Sequence, residues 1–222
     1  MRLTLFDLDG TLLPGDSDHA FGEWIIALGW ADGAAYQQRN DAFYADYQAG
    51  RLDIGAYIDF CTAPWRSRDA AALKAASQGF LTQVVRPMLR PAALALVRQH
   101  QAAGDLVALV TATNDFITRP IAGLFGIDEL IATDLARDLE GRVLGSIAGV
   151  PAFREGKVTR VGQWLAGRGQ SLDQFERSTF YSDSTNDLPL LERVSHPVAT
   201  NPGPALERIA QQRGWPVLKL FT

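Results

Sequence analysis

Residues 1–18 read MRLTLFDLDGTLLPGDSD, a stretch that places two acids directly after an apolar run. The run at 3–6 has the length and composition of a short buried strand. Asp7 and Asp9 follow it, although burying an unpaired carboxylate is costly or shifts its pKa. We therefore predict that the two acids lie at the exposed end of a strand or that a cation neutralises them.

The length and charge of the chain limit the classes of protein to consider. Its 222 residues suffice for one large domain, or for one domain that carries an insertion. Hydrophobic residues make up 47% of the chain and charged residues 21%, as is usual for a globular protein. The net charge of −4 gives no reason to expect binding to nucleic acid or to an anionic membrane.

Cys61 is the only cysteine of the sequence, so no internal disulfide can form, which is typical of a reducing compartment. The N-terminal stretch lacks the apolar segment and cleavage site of a signal peptide. No apolar run approaches the roughly 20 residues that a membrane helix needs. We expect a cytoplasmic protein without a membrane span, in which Cys61 is a small buried apolar residue.

Two regions that differ in their pattern of apolar residues predict the domain organisation. Between about 17 and 85, apolar and aromatic residues recur every three to four positions, the period of amphipathic helices. From 86 to 222, short apolar runs alternate with helical segments, which is typical of a doubly wound, mostly parallel α/β sheet. We expect residues 1–14 and 86–222 to form this α/β core and residues 15–85 to form an inserted α-helical cap. Within the core, Pro120 is expected to start or kink a helix, and a hairpin to turn near 140–141.

Polar side chains follow the predicted strands of the core. In an open α/β sheet, ligands bind beyond the carboxyl ends of the strands. The side chains at these ends are Asp7 and Asp9, then Thr111, Thr113 and Asn114 after the run LVALV, and Asp183 and Asp187 in SDSTND. Lys157 lies near the start of a predicted helix, and we expect it to join the acids at one edge of the sheet.

The predicted cluster of acids needs a counter-charge. Four aspartates in one small site cannot all stay ionised alone, and Mg²⁺ binds carboxylates together with water and phosphate oxygens. Beside Mg²⁺ and Lys157, one carboxylate is a plausible nucleophile toward phosphorus, giving an aspartyl-phosphate. A second carboxylate two residues away can protonate the leaving oxygen and then deprotonate the attacking water.

The residue types and their order resemble the haloacid dehalogenase superfamily, in its phosphatase branch. The resemblance rests on Asp7-Leu8-Asp9-Gly10-Thr11, on Thr111 after LVALV, on Lys157 in REGKV and on YSDSTND at 181–187. It implies that Asp7 is the nucleophile and that Asp9 is the general acid and base, with its main-chain carbonyl on the metal.

The same resemblance implies roles for the other motif residues. Thr111 is expected to hydrogen-bond the transferring phosphoryl group, and Lys157 to offset charge on nucleophile and phosphate. The implied Mg²⁺ ligands are Asp7, Asp9 and Asp183, with Asp183 the direct ligand of the fourth motif. Supporting roles are implied for Gly10, Thr11, Asn186 and Asp187.

The predicted cap has the size and texture of the small helical bundle in phosphoserine phosphatase-like members. Two positions depart from those relatives: Ser182 stands where Gly is usual, and Asp16 stands nine residues after the nucleophile, where Glu commonly holds the substrate amine. The stretch GDSDHAFGEW looks closer to histidinol-phosphatase-like relatives. The expected activity is therefore Mg²⁺-dependent hydrolysis of a small phosphorylated metabolite, such as phosphoserine or histidinol phosphate.

Several other side chains are candidates for contact with the substrate. Asp16 is either a helix cap or a substrate contact, whereas Asp18 is expected to cap the first helix of the cap. His19, Thr113 and Asn114 are further candidate substrate contacts. Other residues weighed here are three arginines that could bind a substrate carboxylate or be solvated (Arg51, Arg66, Arg68), two histidines expected to be structural (His100, His196) and the turn residue Asn201.

Three other functions remain open from the residues alone. A phospho-acceptor receiver domain shares the sheet and the acids, but it lacks a long helical insertion after the first strand. A hydrolytic dehalogenase on the same scaffold would need neither Asp9 nor magnesium. A phosphotransferase would pass the phosphoryl group from Asp7 to an alcohol, and only its products would distinguish it.

Overall fold

The computed structural model of the chain describes residues 1–221, which form an α/β sheet and a series of inserted helices. The strands are β1 (Arg2–Phe6), β2 (Leu106–Asn114), β3 (Glu129–Thr133), β4 (Leu135–Arg137), β5 (Val143–Ile147), β6 (Arg177–Ser182), β7 (His196–Thr200) and β8 (Val217–Leu218). The helices are α1 (Ser17–Ala27), α2 (Gly33–Gln48), α3 (Ile54–Thr62), α4 (Ala70–Phe80), α5 (Arg86–Met88), α6 (Pro91–Ala102), α7 (Asp115–Leu124), α8 (Glu155–Ala166), α9 (Leu188–Leu191) and α10 (Pro204–Arg213).

The main sheet has six strands in the order β3-β2-β1-β6-β7-β8, and every neighbouring pair is parallel. Phe6 at the end of β1 pairs with Leu109 of β2 and with Tyr181 of β6. Because the strands are parallel, the segments that follow β1, β2 and β6 all leave the sheet at the same edge. The prediction of a doubly wound, mostly parallel sheet is confirmed.

The strands of the sheet are buried on both faces, as parallel strands usually are. Leu3 and Leu5 of β1 pack with Phe180 of β6 and with α8 and α9 on one face. Phe6 and Leu109 pack with α6 and α7 on the other. This alternation fixes the register of β1, because a shift by one residue would exchange the two faces.

Helices α1 to α4 follow one another between β1 and α6, and a π-helical turn over Leu81–Val85 connects α4 to α5. The predicted helical texture of this region is confirmed. Aromatic side chains join it to α7: Phe21 meets Phe116 edge-on with ring centres 5.9 Å apart, and Trp65 stacks on Phe116 at 4.5 Å. The division into a core and a cap at residues 14/15 and 85/86 stays a prediction, and the second boundary falls at the start of α5.

The strands β4 and β5 form a separate antiparallel hairpin around Gly141, as predicted. This hairpin packs on α3. Gly145 of β5 has a φ of +78°, and a Cβ there would overlap the Arg66 guanidinium. The close approach therefore requires glycine.

The prediction that Pro120 starts a helix is wrong. Pro120 lies inside α7, which begins five residues earlier, because the Asn114 side chain accepts a hydrogen bond from Ile117 N at 3.2 Å and caps the helix there.

Within residues 1–221, no helix combines the length and the apolar character that crossing a membrane requires.

Candidate active site

Asp7 lies directly beyond β1, where its main-chain N–H extends the sheet by donating to Tyr181 O at 2.9 Å. Its side chain is only 3% exposed. Lys157 Nζ lies 2.8 Å from Asp7 Oδ1 and 2.8 Å from Asp187 Oδ2, so a single ammonium joins two carboxylates. Ser182 Oγ also donates to Asp187 Oδ2, at 2.7 Å. The structure brings Asp7, Lys157 and Asp187 together, as the sequence predicts.

Lys157 reaches this position from the first turn of α8 and is 1% exposed. Burial alone would lower the pKa of Lys157, but attraction to Asp187 and Asp7 outweighs it and raises that pKa above its usual value. The side chain is therefore a permanent cation. Its one charge faces two carboxylates, which leaves a net negative charge at the site.

The turn after β1 brings Asp183 next to Asp7. Thr11 Oγ accepts from Asp183 N at 3.0 Å and lies 3.1 Å from Asp183 Oδ1 and 3.4 Å from Asp7 Oδ2. Gly10 has a φ of +76°, and a Cβ on it would overlap the Asp183 carboxylate. Gly10 and Thr11, predicted as supporting residues, thus define the space around Asp183.

Asn201 holds the same turn from the opposite side. Its Nδ2 donates to Gly10 O at 2.9 Å and to Thr11 O at 3.1 Å, and its Oδ1 accepts from Leu220 N at 2.6 Å. Its φ of +46° is in the left-handed region, which Asn tolerates better than most residues. The sequence predicts Asn201 as a turn residue that borders the site, but it does not predict the partners of Asn201, because these are main-chain atoms distant in sequence.

Asp9 is oriented by two donors from different elements. Ser17 N at the start of α1 donates to Asp9 Oδ1 at 2.7 Å, and Thr113 Oγ donates to Asp9 Oδ2 at 2.8 Å. Thr113 is in reach because β2 continues to Asn114, past the predicted end at Thr111. Thr113 is thus a partner of Asp9 in the structure, in addition to its predicted role as a substrate contact.

The aspartates at this edge resist carrying charge. Burial, with Asp187 and Asp9 acting in the same direction against Lys157, raises the pKa of Asp7 to about 7. Burial and Asp16 raise the pKa of Asp9 to about 7. Burial and Asp7 raise the pKa of Asp183 well above its usual range. A further cation would stabilise the charged form of all three carboxylates. Carboxylate oxygens are hard donors of the kind that Mg²⁺ binds.

The expected ligands suit a metal ion that keeps some of its bound water molecules. Among residues 1–221, no group of three His, Cys, Asp or Glu side chains converges on a point where a metal ion could bind. The donors that the sequence predicts are two carboxylates, Asp7 and Asp183, and the main-chain carbonyl of Asp9. Such a set fits Mg²⁺, which typically binds one or two carboxylates and completes its shell with water and phosphate oxygens.

A cavity extends from this edge of the sheet to the inserted helices. Asp7, Asp9, Thr111 and Thr113 line it from the sheet. Helices α2 and α3 contribute aromatic side chains, among them Phe43, Tyr44, Tyr47 and Tyr57. The sequence predicts helices here but not which aromatic side chains line a cavity, since helical spacing alone does not distinguish a face in the core from one on a cavity.

Asp16 and His19 lie at this cavity. The Asp16 side chain accepts from His19 N at 2.8 Å, so Asp16 caps α1 and also lines the cavity. The two predicted roles of Asp16 are therefore compatible in space. His19 lines the cavity too, and its Nε2 is 2.8 Å from Asp41 Oδ1 of α2.

The prediction that Asp18 caps α1 is wrong, because Asp16 occupies that position. Asp18 lies in the first turn of α1, is 7% exposed and lines the cavity. Asn114 is fully buried, caps α7 and contacts Asp18, with its Nδ2 3.4 Å from Asp18 Oδ1. Asn114 is not among the residues that line the cavity.

The remaining candidates do not line the cavity, and each has a partner elsewhere in the chain. Asn186 donates from Nδ2 to Tyr47 O at 3.0 Å, so it links the 3₁₀ turn after β6 to α2. The other pairs are Arg51 with Asp46 at 2.9 Å, Arg66 with Asp59 at 2.6 Å, Arg68 over the Trp30 ring at 4.8 Å, His100 with Asp105 at 2.7 Å and His196 with Ser195 at 2.9 Å. None of the three arginines lines the cavity.

Known proteins resemble the chain over its whole length. A family model for haloacid dehalogenase-like hydrolases matches residues 4–192. A histidinol-phosphatase from Neisseria meningitidis is 44% identical over 217 residues, which are 98% of each chain. A crystal structure of a Bordetella pertussis protein of unknown function, 50% identical, matches with a TM-score of 0.93 over 99% of each chain. A substrate-bound phosphoserine phosphatase, at 16% identity, shares the fold with a TM-score of 0.68, over 97% of this chain and 91% of that one.

Proposed function

The chain belongs to the haloacid dehalogenase-like hydrolase family, and on that premise we propose that it is a magnesium-dependent phosphatase whose substrate is histidinol phosphate. The reaction would proceed through an aspartyl-phosphate on Asp7. The family and the relatives support the phosphatase class. The substrate is proposed because the 44% identical relative matches over its full length and bears that activity in its name.

The pairing of Asp7 with Lys157 is the observation that carries this proposal. Lys157 Nζ holds Asp7 Oδ1 at 2.8 Å, which leaves Oδ2 as the oxygen to attack phosphorus. As the bond from Asp7 Oδ2 to phosphorus forms, the bond from phosphorus to the ester oxygen breaks. The ammonium offsets the negative charge that develops on the phosphoryl group, in a site largely cleared of water.

Asp9 is suited to move the proton in both half-reactions. It gives a proton to the departing alcohol oxygen in the first step. In the second, it takes a proton from the water that attacks the phosphorus of the aspartyl-phosphate, releasing inorganic phosphate and restoring Asp7. The bonds from Ser17 N and Thr113 Oγ fix the orientation of its carboxylate through both steps.

Phosphatases of this family generally use Mg²⁺. The Asp7 and Asp183 carboxylates and the Asp9 main-chain carbonyl would hold the ion here. When bound, it would supply positive charge to the phosphate oxygens.

Release of inorganic phosphate from a panel of esters with Mg²⁺ tests the proposal. The panel holds histidinol phosphate, phosphoserine, a sugar phosphate and a nucleoside monophosphate. We expect kcat/KM to be at least about tenfold higher for histidinol phosphate than for the others. A higher value for another ester would refute the substrate while leaving the phosphatase class intact.

The Asp7→Asn variant tests the route, because an amide is a poor nucleophile and turnover should be abolished. Asp173→Asn, an exposed aspartate in the loop before β6, is the matched control and should keep full activity. Near wild-type rates in Asp7→Asn would refute the aspartyl-phosphate. Adding an alcohol acceptor and finding its phosphate ester as the main product would instead indicate a phosphotransferase.

A further inference from the structure

A buried carboxylate at the cavity, Asp18, has no role in the chemistry described above. We infer that Asp18 binds a positively charged nitrogen of the substrate, and that the cavity selects phosphate esters of amines that lack a carboxylate. This inference rests on the proposed phosphatase function and concerns the part of the substrate that does not react.

The surroundings of Asp18 leave its carboxylate poorly compensated. It is 7% exposed, and both of its hydrogen-bond partners are neutral: the Tyr57 hydroxyl, and Asn114 Nδ2 at a long 3.4 Å. Among residues 1–221, no Lys, Arg or His forms an ion pair with it. A buried carboxylate without a cationic partner is costly to keep charged.

The pKa of Asp18 agrees with this description. Burial raises it well above its usual range, Asp16 and Asp9 raise it further, and the Tyr57 hydroxyl acts in the opposite direction. An ammonium or imidazolium group next to Asp18 would favour its charged form and form a charge-assisted hydrogen bond. The imidazole that lines the cavity, that of His19, contacts Asp41 and not Asp18. The cationic partner of Asp18 is therefore expected to come from the substrate.

A second buried polar group lies near Asp18 without a partner. Tyr36 is 8% exposed, and its hydroxyl makes no hydrogen bond to any described residue. Burial raises the pKa of this hydroxyl, and charges on Cys61 and Asp18 raise it further. Because the Tyr36 hydroxyl has no hydrogen-bond partner, it does not donate to Asp18 and does not help to compensate that carboxylate.

The rest of the lining favours a cation and disfavours a carboxylate. None of the described residues that line the cavity is Arg or Lys. Asp16 adds a second carboxylate, and aromatic faces such as Phe43 and Tyr44 attract cations. A substrate carboxylate, as in phosphoserine, would face like charges, whereas the amine and imidazole of histidinol phosphate would face opposite ones.

The Asp18→Asn variant is the direct test, because it removes the charge with little change in volume. The quantity to measure is the ratio of kcat/KM for histidinol phosphate to kcat/KM for p-nitrophenyl phosphate, which has no amine. Loss of a buried charge pair lowers this ratio by about 30-fold or more, chiefly through KM. Asp32→Asn, which removes the same charge from the start of α2 outside the cavity, should leave the ratio unchanged. An equal ratio in wild type and Asp18→Asn overturns the inference.

Two further measurements do not depend on turnover by the variant, and the second uses wild type alone. Histidinol, the product without phosphate, should raise the melting temperature of wild type and fail to raise that of Asp18→Asn. In wild type alone, kcat/KM should be at least about tenfold higher for phosphoethanolamine than for phosphoglycolate, a carboxylate of similar size. No preference between the two, or the reverse preference, overturns the inference.

These outcomes separate the inference from the proposed substrate. If wild type prefers amine esters but hydrolyses histidinol phosphate no better than the others, the substrate is wrong and the role of Asp18 stands. If histidinol phosphate is the best ester and Asp18→Asn hydrolyses it as selectively as wild type, the substrate stands and the role of Asp18 is wrong.

Discussion

Among single residues, the charges around Asp7 do not balance. Lys157 neutralises one of its two contacts, Asp7 and Asp187, and the carboxylates of Asp9 and Asp183 add further negative charge nearby. The hydroxyl of Thr11 and the main-chain N–H of Ser17 offset part of this charge by hydrogen bonding. The remainder is what a divalent cation and a phosphate ester, bound together, would balance.

Alanine in place of Gly10 would be disfavoured for two reasons. Its φ of +76° disfavours any side chain, and the added Cβ would overlap the Asp183 carboxylate. We expect Gly10→Ala to raise the Mg²⁺ concentration for half-maximal activity by about tenfold or more, since Asp183 must move. A titration of phosphatase activity with MgCl₂ measures this.

Gly104→Ala is the matched control for Gly10→Ala. Gly104 has a similar φ of +74°, but a Cβ there would have no atom within 4 Å. The variant should lose about 1 kcal/mol of stability through the backbone alone and keep the Mg²⁺ dependence of wild type. An unchanged Mg²⁺ dependence in Gly10→Ala as well would show that Asp183 does not depend on this glycine.

Among the secondary-structure elements, β2 was predicted from the sequence, but its end was placed three residues too early. The apolar run at 106–111 identified the strand, but the strand continues to Asn114, which pairs with Thr133 of β3. The polar residues Thr113 and Asn114 carry no strand signal by hydropathy, and they face the site and the start of α7. Their hydrogen bonds, which depend on the neighbouring elements, decide their structure.

The two aspartates before α1 show the same limit. Asp16 and Asp18 both have the residue type of a helix cap, and their spacing allows either to take the position. The turn after β1 determines where α1 starts, through the contact of Ser17 N with Asp9. Asp16 therefore caps the helix and Asp18 enters the cavity, an outcome that requires the packing of α1 against the turn.

The extension of β2 acts on the site through the hydroxyl of Thr113. Thr113→Val keeps the shape of the side chain and removes the donor to Asp9 Oδ2. We expect kcat for histidinol phosphate to fall about tenfold, as for loss of a hydrogen bond to a charged group. Steady-state kinetics at saturating Mg²⁺ measure this.

Thr159→Val is the control for Thr113→Val, since Thr159 is an exposed threonine of α8 whose hydroxyl contacts only the main chain of its own helix. Its kcat should equal that of wild type. If Thr113→Val also equals wild type, Asp9 is oriented by Ser17 N and the turn alone, and the length of β2 has no catalytic role.

At the scale of the whole molecule, the parallel sheet brings together residues that are distant in sequence. Asp7 and Asp183 follow β1 and β6, and Thr113 lies at the end of β2. The carboxyl ends of these three neighbouring strands share one edge. This part could be predicted from sequence, because strand runs and the residues after them are local signals and the convergence follows from topology. The faces that α2 and α3 turn toward the cavity could not, because helical periodicity does not state what lies opposite a face.

Metal binding should appear in the stability of the whole molecule, because an ion that binds only the folded chain shifts the unfolding equilibrium. At a Mg²⁺ concentration about 100 times the dissociation constant, the stabilisation is about 2.7 kcal/mol, which is a rise in melting temperature of about 5 to 10 °C for a chain of this size. Adding EDTA should reverse the rise. Thermal unfolding followed by circular dichroism measures it.

The Asp183→Asn variant assigns this stabilisation to the proposed site. It removes one of the two carboxylates expected to hold the ion and also removes a buried charge that is costly without one. Its melting temperature without Mg²⁺ should therefore equal or exceed that of wild type, while its response to Mg²⁺ should be largely lost. Asp173→Asn should respond as wild type does. An equal Mg²⁺ response in Asp183→Asn would place the ion elsewhere and remove Asp183 from the site.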